Sequence, residues 1–313
     1  MDHKIKVFIF IPIAAALLAL PVSASDTVLV GIGSGYGNTT ENVKQTESAA
    51  APEDNGAASL PGYSAAGTAE TETEQEPDDV TVLGSHSTLT VEGTADELAW
   101  IQTNLQGQFM PYVIQHAEGN PNVIHFLYLW GHNIKESPAE FSYTQEEQDA
   151  DIPLLMQWDY RWGFNNYGGG PAALTACAPT CMTMIGYGLT KDPAVNVKDM
   201  CAYSISQGYW VSGSGTAWTL VENAFPGYNI TSSKISTDES TVRSALQAGH
   251  PVLINVGPGR FSAVGHFMVL AAVNDDGTFR LNDPNNLDNS SRSWEWSDLA
   301  GEITAAWSYT YNG

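Results

Sequence analysis

Apolar positions along this chain fall into stretches of different period, and each period predicts a different kind of segment. Val7 to Leu20 is an almost unbroken apolar run, with Lys4 and Lys6 before it and Val22-Ser23-Ala24 after it. A basic start, a short apolar core and a small-residue cleavage pattern predict a secretory signal peptide over residues 1–24. The run falls short of the ~20 apolar residues that a membrane span takes. The expected product is secreted and extracellular, with no membrane span once the signal is cleaved. An uncleaved signal would instead anchor it at the cell surface. No cysteine follows the cleavage pattern, which argues against a lipid-anchored bacterial form.

Residues 25–93 show no such organisation. They are rich in Ala, Gly, Ser, Thr and Glu, with acidic runs such as Glu70 to Asp79. Such a segment cannot bury enough apolar surface to offset its chain entropy. It predicts a disordered acidic linker or stalk, read first as a solvated spacer and second as a removable pro-segment.

Helical spacing begins at Thr94. Thr94-Ala95-Asp96-Glu97 is a capping box, and Leu98, Ile101 and Leu105 follow on one face. Met110 to Ala117 predicts a second short helix, while the apolar run Val123 to Trp130 fits either a helix or a strand. Residues 94–150 therefore read as a small helical N-terminal unit, closed by the acidic stretch Glu146 to Asp151.

Residues 151–313 read as one α+β domain. A helix is predicted from Cys177 to about Gly188, and another over Thr241 to Ala248. Strands are predicted at Val252 to Val256, at His266 to Val273 and at Thr278 to Asn282, the second apolar enough to be central in its sheet. Asn274 to Gly277 is the turn between the last two. Ser297 to Ile303 predicts a final helix before a closing strand around Trp307. The aromatics between Asp159 and Gly170 read as core packing on a loop.

Charge narrows the partners. The formal net charge is -23 over 313 residues, although only 15% of residues are charged. That acid excess argues against nucleic acid and against anionic membrane surfaces, both of which call for Lys/Arg patches. Three cysteines do not make a disulfide scaffold. His116, His125 and His132 lack ligand spacing, so no metal site is expected. Gly168-Gly169-Gly170 lacks the lysine of a phosphate cradle.

The chemistry centres on Cys177. Pro179 suits a first helical turn, and Thr175 is the expected cap. The sulfur then faces the positive end of the helix dipole, which favours a thiolate. A thiol nucleophile needs a base, a group that orients the base, and donors for the oxyanion. His266, at the start of its strand after a glycine-bearing loop, is the expected base, with its ring at an edge. Asp283 is the expected orienter. If Asn274 to Gly277 forms the loop, Met268 faces Asp283 and His266 lies diagonal to it on the same face. A loop closed one residue earlier would set His266 directly opposite. Gln157 is the oxyanion candidate, acting with the backbone N–H of Cys177. Cys181 reads as core, the alternative being a bridge to Cys201.

These residues carry a resemblance. Leu154-Leu155-Met156-Gln157-Trp158-Asp159, then Ala176-Cys177-Ala178-Pro179-Thr180-Cys181, then Gly265-His266-Phe267-Met268-Val269-Leu270, then Asn282-Asp283-Pro284, resemble the C39-like peptidases in order along the chain. Those are papain-like cysteine peptidases, related to the double-glycine peptidase domains that process bacteriocin leaders. The resemblance implies a bacterial source and a Cys-bearing helix on a mainly antiparallel sheet. It implies Cys177 as nucleophile, His266 as base, Asp283 as orienter and Gln157 as oxyanion donor, with no metal or organic cofactor. The family usually has glycine where Ala176 and Ala178 stand. A position that needed positive φ would be strained by alanine.

The expected function is a secreted cysteine peptidase that cleaves peptide or isopeptide bonds in a peptide or protein substrate. Two alternatives stand beside it: a catalytically silent surface or binding module that keeps the fold, and a cell-wall amidase or transpeptidase acting on wall peptides.

Overall fold

The computed structural model describes residues 93–107, 111–212, 215–263 and 265–313. The predicted signal and nearly all of the predicted stalk lie outside the described residues. Among the described residues no helix is long and apolar enough to cross a membrane.

Three helices come first: α1 (Ala95–Asn104), α2 (Pro111–Glu118) and α3 (Pro121–Gly131). Both bonds of the capping box are made, Glu97 N donating to Thr94 Oγ1 at 3.1 Å and Thr94 N to Glu97 Oε2 at 2.7 Å. The ambiguous run Val123 to Trp130 is helical. Pro121 stands at its first position, where a missing N–H has no acceptor to lose. His125 Nδ1 then meets Glu97 Oε1 at 2.7 Å and ties α3 to the first turn of α1. The apolar faces of these helices share one core with Met156, Trp158, Tyr160, Phe164 and Ala173. The dense aromatics are thus core, fully or nearly buried.

The acidic stretch at 146–151 contains a helical turn, Gln145–Asp149, opened by a second capping box between Thr144 and Glu147. Glu147 is 3% exposed and faces the fully buried Arg161. Two parallel bonds join them, Nη1 to Oε2 at 2.8 Å and Nη2 to Oε1 at 2.6 Å. Arg161 also holds Asp159 through Nη2 at 2.7 Å and Nε at 3.0 Å.

The rest is helix on sheet. In chain order its main elements are α4 (Cys177–Thr190), α5 (Val197–Ser206), β1 (Ile230–Ile235), α6 (Glu239–Gln247), β2 (Val252–Val256), β3 (His266–Val273), β4 (Phe279–Asn282), β5 (Ser293–Trp294) and β6 (Ile303–Tyr311), with shorter turns and two small ribbons between them. The six strands form one antiparallel sheet in the order β1-β6-β2-β3-β4-β5. The expected α+β architecture is present, with β3 central as its apolar sequence implies. Alternation divides the faces. Leu253, Phe267, Val269 and Trp307 pack with α4, while Ile254, Met268, Leu270 and Ala306 pack with α6.

Several boundaries differ from expectation; α6, for one, starts two residues early at Glu239, because Asp238 caps it. The third predicted strand starts at Phe279, because the N–H and Oγ1 of Thr278 both donate to Asp276 Oδ1 and close the turn. The last predicted helix is only the turn Trp296–Leu299, and Ile303 already belongs to β6.

Candidate active site

Cys177 is the first residue of α4. The expectation that Thr175 caps this helix is overturned. The cap is Ala176, with no side-chain bond, and Thr175 ends the preceding turn Ala172–Thr175. Its Oγ1 donates instead to Tyr167 O at 3.2 Å. First-turn amides have no intrahelical acceptor, so no helix bond competes for the Cys177 N–H. Ala176 has φ of -92°, and Ala178 is within the helix and not among the residues of positive φ. Neither position requires glycine.

His266 opens β3 directly after Gly265. The ring does not stand open at an edge; it is only 3% exposed. The ring is enclosed because Asp283 and Cys177 both lie against it. Its Nε2 donates to Asp283 Oδ1 at 2.7 Å, which leaves Nδ1 for the sulfur. Burial alone would lower the imidazole pKa. The Asp283 charge, the hydrogen bond to it and the hydrogen bond with Cys177 outweigh that and raise it from 6.5 to about 10. Asp283 is held below its ordinary 3.8: burial pushes it up, but His266, Asn289 and the Asn285 N–H pull it further down. Asn289 Nδ2 reaches Asp283 Oδ2 at 2.8 Å, and Asn285 N reaches Oδ1 at 2.9 Å.

The signs of the two shifts agree. The raised His266 contributes stability that is complete below pH 6.5 and lost as pH rises through about 10. The lowered Asp283 contributes stability that is present above 3.8 and lost as pH falls through its folded value. Nitrogen NMR of the imidazole is therefore expected to find His266 still protonated at pH 8. A ring that titrates near 6.5 would mean that the pair with Asp283 is not formed.

The strand register brings the pair together by an unexpected route. Val273 pairs with Phe279, one residue beyond the expected partner. The ladder then shifts between Leu270 and Ala272, and Val269 pairs with Asn282. Ala271 is the extra residue of a β-bulge. Beyond it Met268 is the next position opposite Asp283, so His266 is diagonal to the carboxylate, as in the first of the two registers considered.

Gln157 is 2% exposed and links both sides of the site. Its Nε2 donates to Ala173 O at 2.7 Å, in the turn just before Cys177. Its backbone N–H donates to Pro284 O at 2.7 Å, just after Asp283. One Nε2 hydrogen is thus engaged and the second is available. Its Oε1 is buried without a hydrogen-bond partner among the described residues.

The other two thiols are free and buried, so the Cys181–Cys201 bridge is not formed. Cys181 Sγ donates to Phe267 O at 3.3 Å, and burial pushes both thiols upward in pKa. Among the described residues no group of His, Cys, Asp or Glu is arranged to hold a metal ion. Two neighbours were not foreseen. The Tyr167 hydroxyl, shared with Ser204 at 2.9 Å and Thr216 at 2.7 Å, lies within electrostatic range of Cys177. His116, on α2, lies within electrostatic range of Asp283 and His266, and burial lowers its pKa.

The model of the Peptidase_C39 like family matches residues 150–313, just over half of the chain. The chain belongs to the C39-like peptidase family. No match is found among curated proteins. A crystal structure of a candidate C39-like peptidase from Bacillus anthracis aligns at 12% identity and a TM-score of 0.30, covering 52% of this chain and 96% of the other. The C39-like region contains Gln157, Cys177, His266 and Asp283. Helices α1 to α3, with His116 and Asn120, precede it.

Proposed function

We propose that this C39-like peptidase is a secreted cysteine peptidase that hydrolyses peptide or isopeptide bonds through Cys177, His266, Asp283 and Gln157. The observation that carries the reading is the placement of one imidazole between a carboxylate at 2.7 Å and a helix-terminal sulfur. Cys177 attacks the scissile carbonyl as a thiolate, and the His266 imidazolium balances its charge. The oxyanion is held by the free Nε2 hydrogen of Gln157 and the Cys177 N–H. His266 gives its Nδ1 proton to the leaving amine, then takes one from the water that hydrolyses the thioester. Asp283 keeps the ring oriented throughout. The region before α1 serves as a secretion signal and acidic stalk, with 94–150 as a helical unit ahead of the peptidase domain.

The 3% exposure of Cys177 favours a second reading, a silent module that keeps the fold. One experiment separates the two. The full chain is treated with iodoacetamide at pH 6 and then offered a peptide library, with peptide mapping of the label. The peptidase reading expects Cys177 to be labelled at pH 6 and cleavage to be lost in proportion. A Cys177 labelled only above a pH of about 8, like a model thiol, with no cleavage before treatment, would overturn it.

A further inference from the structure

Helix α3 has an asparagine at its cap that does not cap it. Asn120 occupies the N-cap position and makes no side-chain bond to the first turn. Such a bond is ordinarily worth about 1 kcal/mol to a helix. Asparagines elsewhere in this chain do make it: Asn196 accepts from Asp199 N, and Asn286 accepts from Asn289 N. Asn120 is 4% exposed, and its side chain is turned across the core. Its Nδ2 donates to Asn285 O at 2.9 Å and lies 3.5 Å from His116 Nε2.

Asn285 is the residue whose N–H donates to Asp283 Oδ1 at 2.9 Å, the same oxygen that accepts His266 Nε2 at 2.7 Å. Its carbonyl receives Asn120 and, at 3.4 Å, Trp158 Nε1. Donors therefore stand at the carbonyl of this residue and a carboxylate stands at its amide. A residue held at both its carbonyl and its amide is fixed in place, and its N–H is thereby kept aimed at the carboxylate.

We propose that Asn120 is a positioning residue for the reacting set: its side-chain amide fixes Asn285, and through it the Asp283 carboxylate against the His266 ring. The inference rests on reading Cys177, His266 and Asp283 as that set. It also gives helices α1 to α3, which precede the C39-like region, a part in the site. Asn120 itself touches neither the sulfur nor the scissile bond.

The decisive variant is Asn120→Ser in the full chain. Serine caps a helix as well as asparagine does, but it is too short to reach Asn285. A purely structural Asn120 is replaced without loss, whereas a positioning one is not. Two readouts are taken: kcat and KM on a cleaved peptide, and the downfield proton resonance of the His266 Nε2–H bound to Asp283, which needs no substrate. Asn120→Ser is expected to keep its Tm and KM, to lose about tenfold in kcat, and to shift that resonance upfield. An unchanged kcat with an unchanged resonance in a folded Asn120→Ser overturns the proposal. If Asn120→Ser does not fold, Asn120→Asp, which keeps the shape and withdraws the donor, takes its place under the same criteria. A wild type that cleaves nothing, with a resonance that responds to Asn120, sinks the peptidase reading and leaves the positioning role. An active wild type with an unresponsive resonance does the reverse.

Discussion

Cys177→Ala is expected to lower kcat/KM for peptide cleavage by a factor on the order of 10⁵ to 10⁶, the scale seen when a hydrolytic nucleophile is removed. At the upper end that is about 8 kcal/mol of transition-state stabilisation. His266→Ala should cost about as much, because the ring is bonded to Asp283 through Nε2 and interacts with Cys177, and on the proposed mechanism neither partner works alone. The informative measurement is the double variant. Groups that act as a unit are not additive, so Cys177→Ala with His266→Ala should be no slower than either single change. Losses that multiply would mean that sulfur and ring contribute independently, and the proposed pairing would fall. On the proposed mechanism, whatever activity survives belongs to binding and to the oxyanion donors, among them Gln157.

The second large effect concerns stability. Arg161 has no exposed surface, and its guanidinium is gripped by Glu147 and Asp159 in four bonds of 2.6 to 3.0 Å. A fifth, from Nη1 to Ser142 O at 3.0 Å, fixes the segment leading into the C39-like region. Arg161→Ala leaves two buried carboxylates uncompensated, which is expected to cost about 3–5 kcal/mol. For a folded region of this size that corresponds to a fall in Tm of roughly 10 °C. Arg161→Lys should recover little, since an ammonium cannot make paired bonds to two carboxylates. Replacing all three residues with apolar side chains of similar volume should come close to the wild-type Tm. Calorimetry on the three variants decides it, and a neutral Arg161→Ala would show that the triad is not closed to water in solution.

The local parts of this molecule were written plainly in the sequence. The Thr94–Glu97 box, the Cys177 helix and the apolar β3 each depend on neighbours a few residues away, and period and capping chemistry report just those distances. The ordered Gln, Cys, His and Asp were legible because they stand in recognisable short motifs. The rest depended on contacts that no local pattern encodes. The edge strand β1 reads Ile-Thr-Ser-Ser-Lys-Ile, too polar to announce itself, because only part of it is buried. Thr175 looked like a cap, and its hydroxyl found Tyr167 instead. The Glu147–Arg161 pair and the reach of Asn120 to Asn285 join segments whose sequences give no sign of each other.

The bulge at Ala271 has an effect that reaches past its own few atoms. Leu270 and Val273 pack into the same side of the sheet although they are three residues apart, so the extra residue resets the phase of the hairpin. A regular ladder continued from Val273 and Phe279 would bring Val269 opposite Asp283, with the carboxylate turned away from the imidazole. The paired length between the two partners is thus a question of odd and even. Losing Ala271 itself would leave a regular ladder with Met268 still opposite Asp283, whereas losing one paired residue with the bulge kept would turn the acid away from its ring.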